Sequence, residues 1–82
     1  MRILYFAWLK TKTGTGEEIV DAPGIDTVQD LVTLLRRRGG GHAEALADLK
    51  AIRVAVNQDF ADFDHRLAPD DEVAFFPPVT GG

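Results

Sequence analysis

The sequence contains no cysteine and no serine. The first absence removes disulfides, thiolate metal sites and any thiol nucleophile. The second removes a serine–histidine–aspartate triad, and no threonine stands in a setting that would replace it. Histidine is scarce as well. His42 and His65 both occur in polar stretches, without the spacing of a metal centre, and both read as surface histidines. No apolar run is long enough to span a membrane and no signal-peptide pattern is visible, so the expectation is a cytoplasmic protein with no membrane partner. Basic charge is also short. The 13 acidic residues outnumber the 9 basic ones, a net −4 that argues against nucleic acid and fits a basic protein partner better.

What is present is enough apolar material for one core. At 82 residues and 45% hydrophobic the chain is a single domain of globular composition. A chain this short buries only about 60% of its unfolded surface, so its core must be regular. The run Ile3–Leu9 is β-rich and apolar on both faces, and it gives way to a polar turn over Lys10–Gly16. Glu17–Asp21 then reads as a second strand paired back as a hairpin. A helix begins at Asp26-Thr27, with Thr27 as cap and Asp30 in the capping-box position. Val28, Leu31, Leu34 and Leu35 share one face of it. Arg36–Arg38 suits the negative end of its dipole and reads as a solvated helix end, with an anion patch as the alternative, and Gly39 stops it.

Gly39–Gly41 reads as that helix stop followed by a flexible linker. That reading is favoured over a phosphate loop, because the run follows a helix and lacks the Gly-Lys-Ser/Thr completion. His42–Leu49 is a short second helical segment and Ile52–Val56 a strand. Asn57–Asp59 is a turn, and an irregular stretch runs through Phe60 and Phe63. After the turn at Pro69–Asp71, Val73–Phe76 forms the last strand. Asp70, Asp71 and Glu72 are either the chemistry of that turn or an acidic contact for a partner.

The order β-β-α-β-β predicts an α+β roll, a mixed sheet on one main helix with the first and last strands side by side in the middle. This is the β-grasp arrangement. Strand alternation sends Ile3, Tyr5 and Ala7 towards the helix and Leu4, Phe6 and Trp8 away from it. It likewise sends Val73 and Phe75 inward and Phe76 outward. An outer face carrying Leu4, Phe6 and Phe76 is too apolar for a solitary monomer and predicts a docked partner.

The C-terminal residues carry the strongest chemical signal. An apolar strand leads into Pro77-Pro78, then Val79, Thr80, Gly81 and Gly82. Six extended residues reach about 20 Å. The prolines lower the cost of holding the segment extended in a partner's groove, and the glycines pass a constriction that a β-carbon would block. The group so presented is the Gly82 carboxylate. An anionic carboxylate is a poor electrophile and must first become an acyl-adenylate, made with ATP by a separate enzyme. An amine acceptor then yields a protein conjugate, and a sulfur acceptor yields a thiocarboxylate.

Over nearly its whole length the chain resembles the ubiquitin-like sulfur carriers of the molybdopterin synthase small-subunit (MoaD/ThiS) type. The anchors are Leu4–Ala7, the helix after Thr27, Val54–Asn57 and, above all, the string DEVAFFPPVTGG from Asp71 to Gly82. The resemblance implies a β-grasp domain over residues 1–76 and an extended tail over 77–82. It implies adenylation of Gly82 by an E1-like enzyme, then thiocarboxylation from a sulfur donor such as a sulfurtransferase. The tail would insert into the large subunit of molybdopterin synthase within a heterotetramer, and sulfur would pass to cyclic pyranopterin monophosphate in molybdenum cofactor biosynthesis. Gly82 would carry the sulfur and Gly81 give clearance, with Thr80, Val79, Pro78 and Pro77 completing the tail. Phe76, Phe6 and Leu4 would form the docking face. Acid–base residues would belong to the large subunit, so the chain is a co-substrate and binds no cofactor of its own. The alternatives are a sulfur carrier for thiamin or a sulfur-containing amino acid, a ubiquitin-like modifier of lysines, and a binding domain with an inert tail.

Overall fold

The computed structural model describes residues 1–21 and 23–78. The expected Val79, Thr80, Gly81 and Gly82 site therefore lies outside the described residues. The elements are β1 (Arg2–Tyr5), α1 (Trp8–Thr13), β2 (Glu17–Ile19), α2 (Val28–Arg37), α3 (Gly40–Ala45), β3 (Arg53–Val56), β4 (Asp59–Ala61) and β5 (Glu72–Phe76), with a 3₁₀ turn at Leu49–Ala51. The five strands form one mixed sheet in the order β2-β1-β5-β3-β4. β1 and β5 pair in parallel and all other pairs are antiparallel. The first and last strands thus lie side by side inside the sheet, as the β-grasp reading requires.

A parallel pair needs a long crossover, and α2 lies on it. Its start is built as the sequence implies. Thr27 Oγ1 accepts from the Asp30 amide at 3.2 Å, and Asp30 Oδ2 accepts from the Thr27 amide at 3.1 Å, a reciprocal cap with aspartate in the glutamate position. Its apolar face, Val28, Leu31, Val32 and Leu35, is buried against Ile3, Tyr5, Val54, Val73 and Phe75 of the sheet. Each such side chain contributes about 1.5–3 kcal/mol by leaving water, which makes this one layer the main source of stability.

The expected strand Ile3–Leu9 is two elements. β1 ends at Tyr5, and Ala7 takes φ 56° and ψ −131°, a positive φ that swings the chain off the sheet. Trp8 therefore opens α1, Ala7 is exposed and not inward-facing, and the polar turn at Lys10–Gly16 is mostly helix. Leu9 is what anchors this arrangement, being fully buried in the core. Gly14 closes α1 in the left-handed conformation, its amide donating to Lys10 O at 2.9 Å.

The triple glycine is not a flexible linker. Gly40 and Gly41 belong to α3, which starts earlier than expected and stops at Ala45. A β-carbon on Gly41 would lie 1.8 Å from the Lys12 carbonyl oxygen, so glycine is what lets α3 lie directly on α1. The irregular stretch after Asn57 is also ordered. Asn57 and Gln58 have φ 51° and 72° and form a two-residue hairpin turn into β4. Asp71 closes the turn before β5 by accepting from the Ala68 amide at 2.7 Å and from Asn57 Nδ2 at 2.9 Å. These two bonds, the amide first, hold its carboxyl below the usual carboxylate range.

Candidate functional site

The sheet has two faces of different character. On the covered face lies a closed polar cluster built by β1, β2, the end of α2 and α3. Glu18 Oε2 accepts from the Tyr5 hydroxyl at 2.8 Å and contacts His42 Nε2 at 2.7 Å, while Oε1 accepts from Arg38. Burial alone would push the Glu18 carboxyl up, but the hydrogen bonds from His42, Arg38 and Tyr5 together outweigh it and hold the group below the usual range. An ionised carboxylate only accepts, so His42 Nε2 is the donor in this pair. Burial first, and the bond to Glu18 second, push the Tyr5 phenol well above its ordinary value. His42 is thus a half-buried structural group and not the surface histidine expected from the sequence. Arg38 is a member of the same cluster, and Arg36 donates to Ala47 O at 3.2 Å, so two of the three arginines close the fold locally.

The uncovered face is apolar. Register places Leu4 beside Ala74, Ala74 beside Ala55, and Ala55 beside Phe60, one row across four strands. The Phe6 amide, just past β1, donates to Phe75 O at 3.1 Å and keeps Phe6 level with Phe76. The expected outward residues Leu4, Phe6 and Phe76 are therefore brought together, and the alternation read for Ile3, Tyr5, Val73 and Phe75 is the one observed. Phe60 is 82% exposed and Phe6 49%. The Phe60 and Phe76 rings lie 5.8 Å apart, tilted across the β3–β4 side of the face. They wall a groove of ≈ 390 Å³ whose other lining residues are Arg53, Val54, Ala61 and Asp62. Pro77 and Pro78 follow β5 and are half-buried.

Phe60, Arg53, Ala55 and Ala74 are the members of this face that the sequence reading missed. The signal was present in Asn57-Gln58, a two-residue insert between Arg53–Val56 and the alternating Asp59–Ala61, with Asn where a positive φ is tolerated. Trp8, read as a member of the outer set, starts α1 instead. At the far edge Arg2 is neutralised by Glu17 at 2.6 Å and Glu72 at 3.3 Å, so Glu72 is an internal counterion.

Among the described residues no group of histidine and carboxylate side chains is arranged to hold a metal, and no helix is long and apolar enough to cross a membrane. What the arrangement offers is an apolar sheet face with the Pro77-Pro78 segment following its β5 strand. The model of the ThiS family matches residues 3–82. This chain belongs to the ThiS family. It is 43% identical over 82 residues to the molybdopterin synthase sulfur carrier subunit of Escherichia coli, covering 100% of this chain and 99% of that one. Among solved structures, this ThiS-family chain is 27% identical to small archaeal modifier protein 1 of Haloferax volcanii, with TM-score 0.70 over 96% and 97% of the two chains. It shares its fold with the complex of subunits 1 and 2 of molybdopterin-converting factor from Helicobacter pylori, at 22% identity and TM-score 0.67 over 99% of this chain and 96% of that one.

Proposed function

We propose that this protein is the sulfur carrier of a molybdopterin synthase, working through a thiocarboxylate at Gly82. The observation that carries the reading is the likeness to the Escherichia coli sulfur carrier subunit along the entire chain. The exposed apolar face beside Pro77 supports it, since a carrier must present its tail while bound to other proteins. The absence of cysteine and serine fits a chain that transports a reactive group without a nucleophile of its own.

The chemistry proceeds in balanced steps. The Gly82 carboxylate attacks the α-phosphorus of ATP on an E1-like enzyme, giving the acyl-adenylate and pyrophosphate. Sulfide displaces AMP and leaves –CO–S⁻. If the donor is a persulfide, the first product is an acyl disulfide, which a thiol must reduce to the same thiocarboxylate. On the large subunit the thiocarboxylate sulfur displaces an oxygen substituent from a carbon of cyclic pyranopterin monophosphate, and that oxygen departs with its bonding pair and takes up a proton. Water then cleaves the resulting thioester, leaving sulfur on the pterin and restoring the carboxylate. Two carriers supply the two dithiolene sulfurs, which fits a heterotetramer with one carrier at each end of a large-subunit dimer. In this assembly residues 1–76 act as the docking body and 77–82 as the inserted tail.

Intact-mass measurement after incubation with ATP, sulfide and the cognate adenylating enzyme tests the first half. A gain equal to the mass difference between sulfur and oxygen, mapped to Gly82, is expected. An unchanged mass overturns the reading. Supplying that product to the large subunit with the pterin precursor tests the second half by formation of molybdopterin. A second reading, conjugation of Gly82 to lysines, is favoured by the likeness to small archaeal modifier protein 1. It predicts isopeptide-linked adducts in place of the sulfur product.

A further inference from the structure

Two arginines lie on the outer face of the sheet, and they are treated differently. Arg2 has two glutamate counterions within the chain. Arg53 has none: its Nη1 donates to the carbonyls of Ile52 at 2.9 Å and Lys50 at 3.3 Å, and no carboxylate among the described residues forms an ion pair with it. Asp62 lines the same groove and makes no ion pair there. The backbone carbonyls engage only Nη1, so the edge formed by Nε and Nη2 has no partner among the described residues, and this is the edge that takes a carboxylate side-on through two parallel bonds.

Register sets Arg53 directly opposite Phe76, at the end of the groove walled by Phe76 and Phe60. Covering this face with another protein strips water from the guanidinium. Neutral carbonyls do not compensate a desolvated cation, whereas an opposing carboxylate does. Arg2 enters such an interface already neutralised. Arg53 requires the partner to bring the anion.

We infer that Arg53 is the charged anchor of the docking face, and that the protein it binds seats an apolar side chain between Phe60 and Phe76 with a carboxylate beside it on Arg53. The inference rests on the reading of the outer sheet face as the surface that meets the large subunit. It adds the chemistry of the matching surface: acidic next to apolar, at the groove beside β3 and β4, with the Arg2 edge electrostatically silent.

Calorimetric titration of the cognate large subunit with the full-length carrier tests it, using Arg53→Gln, Arg53→Glu and Phe60→Ser. Both positions replaced are exposed, and equal melting temperatures confirm that each variant is folded. Loss of the pair is expected to weaken binding by about thirtyfold or more in Arg53→Gln and further in Arg53→Glu. The salt dependence of binding should be shallower in Arg53→Gln than in the parent. If both Arg53 variants bind within about twofold of the parent while Phe60→Ser is weakened, the face is right and the anchor is refuted. If Phe60→Ser is also unaffected, the docking-face reading fails and this inference with it.

Discussion

Replacing Gly41 by alanine separates two accounts of the triple glycine by sign. Gly41 lies inside α3, and unlike Gly39 and Gly40 its φ is not positive. If the glycine served only as a loose joint, alanine would stabilise the helix by about 1 kcal/mol through propensity. The structure predicts the opposite. The added Cβ would meet the Lys12 carbonyl oxygen at 1.8 Å, the Lys12 carbonyl carbon at 2.9 Å and Thr13 Cα at 3.3 Å. All three are backbone atoms, so no rotamer change relieves the overlap and α1 must move bodily away from α3. That movement loosens Leu9, Ala45 and Leu46, all buried. Overpacking of this kind costs about 1–3 kcal/mol. With rigid backbone on the far side the upper end applies, and after the propensity gain the net loss is about 2 kcal/mol. For a domain of this size that lowers the melting temperature by roughly 8–16 °C. Urea unfolding monitored by Trp8 fluorescence or circular dichroism gives the number. Below its melting temperature the variant should still bind the large subunit, because the outer sheet face is remote from the clash. A Gly41→Ala protein as stable as the parent, or more so, refutes the close packing of α1 on α3.

Substitutions at three further positions probe the scaffold. Gln58→Gly removes a side chain from a residue at φ 72° and creates an Asn-Gly hairpin turn, so stability should rise by about 0.5 kcal/mol after the entropy loss of glycine; a fall in the urea midpoint would contradict the turn assignment. Thr27→Ala deletes the acceptor for the Asp30 amide and should cost about 1 kcal/mol, whereas Thr27→Ser should cost little. Glu18, Asp30 and Asp71 all have folded-state carboxyls below their ordinary values. Their contribution is therefore present above the unfolded carboxylate range, about pH 4, and is lost as pH falls through the lowered folded values. Glu18→Gln should unfold with a shallower dependence on acid than the parent, and an unchanged slope in urea titrations from pH 5 to roughly pH 2 would show that the cluster is not the acid-sensitive element.

The parts of the fold legible in sequence are those where one pattern excludes its rivals. The capped, one-faced helix after Thr27 has no other reading, and the alternation in Val73–Phe76 assigns each side chain to a face. Ile3–Leu9 was ambiguous because it is apolar at nearly every position, so period could not show that the sheet stops at Tyr5 and that Leu9 reaches the core from a helix. The break sits at Ala7, whose positive φ no residue preference announces. Gly41 escaped for a related reason. Glycine marks turns and close approaches alike, and only the Lys12 carbonyl, 29 positions away in sequence, tells which.

The candidate site was half legible, along a boundary set by strand length. Leu4, Phe6 and Phe76 sit in or beside strands with enough alternation to show an outward apolar set, and the register of β1 on β5 brings them together. Phe60 sits in a three-residue strand, too short for any period to register, and it joins the face only because the Asn57-Gln58 turn fixes β4 against β3. Arg53 was readable as a strand residue, but its importance depends on what does not neutralise it, which is a property of three-dimensional neighbours. The same comparison explains why the covered polar cluster is a poor place to look for activity. Every polar side-chain atom buried there has a partner, so a ligand would have to displace bonds already made. On the outer face the apolar surface gains by being covered, and the Arg53 guanidinium gains only where the covering surface brings a carboxylate, so the free energy of covering this side depends on the partner chemistry inferred above.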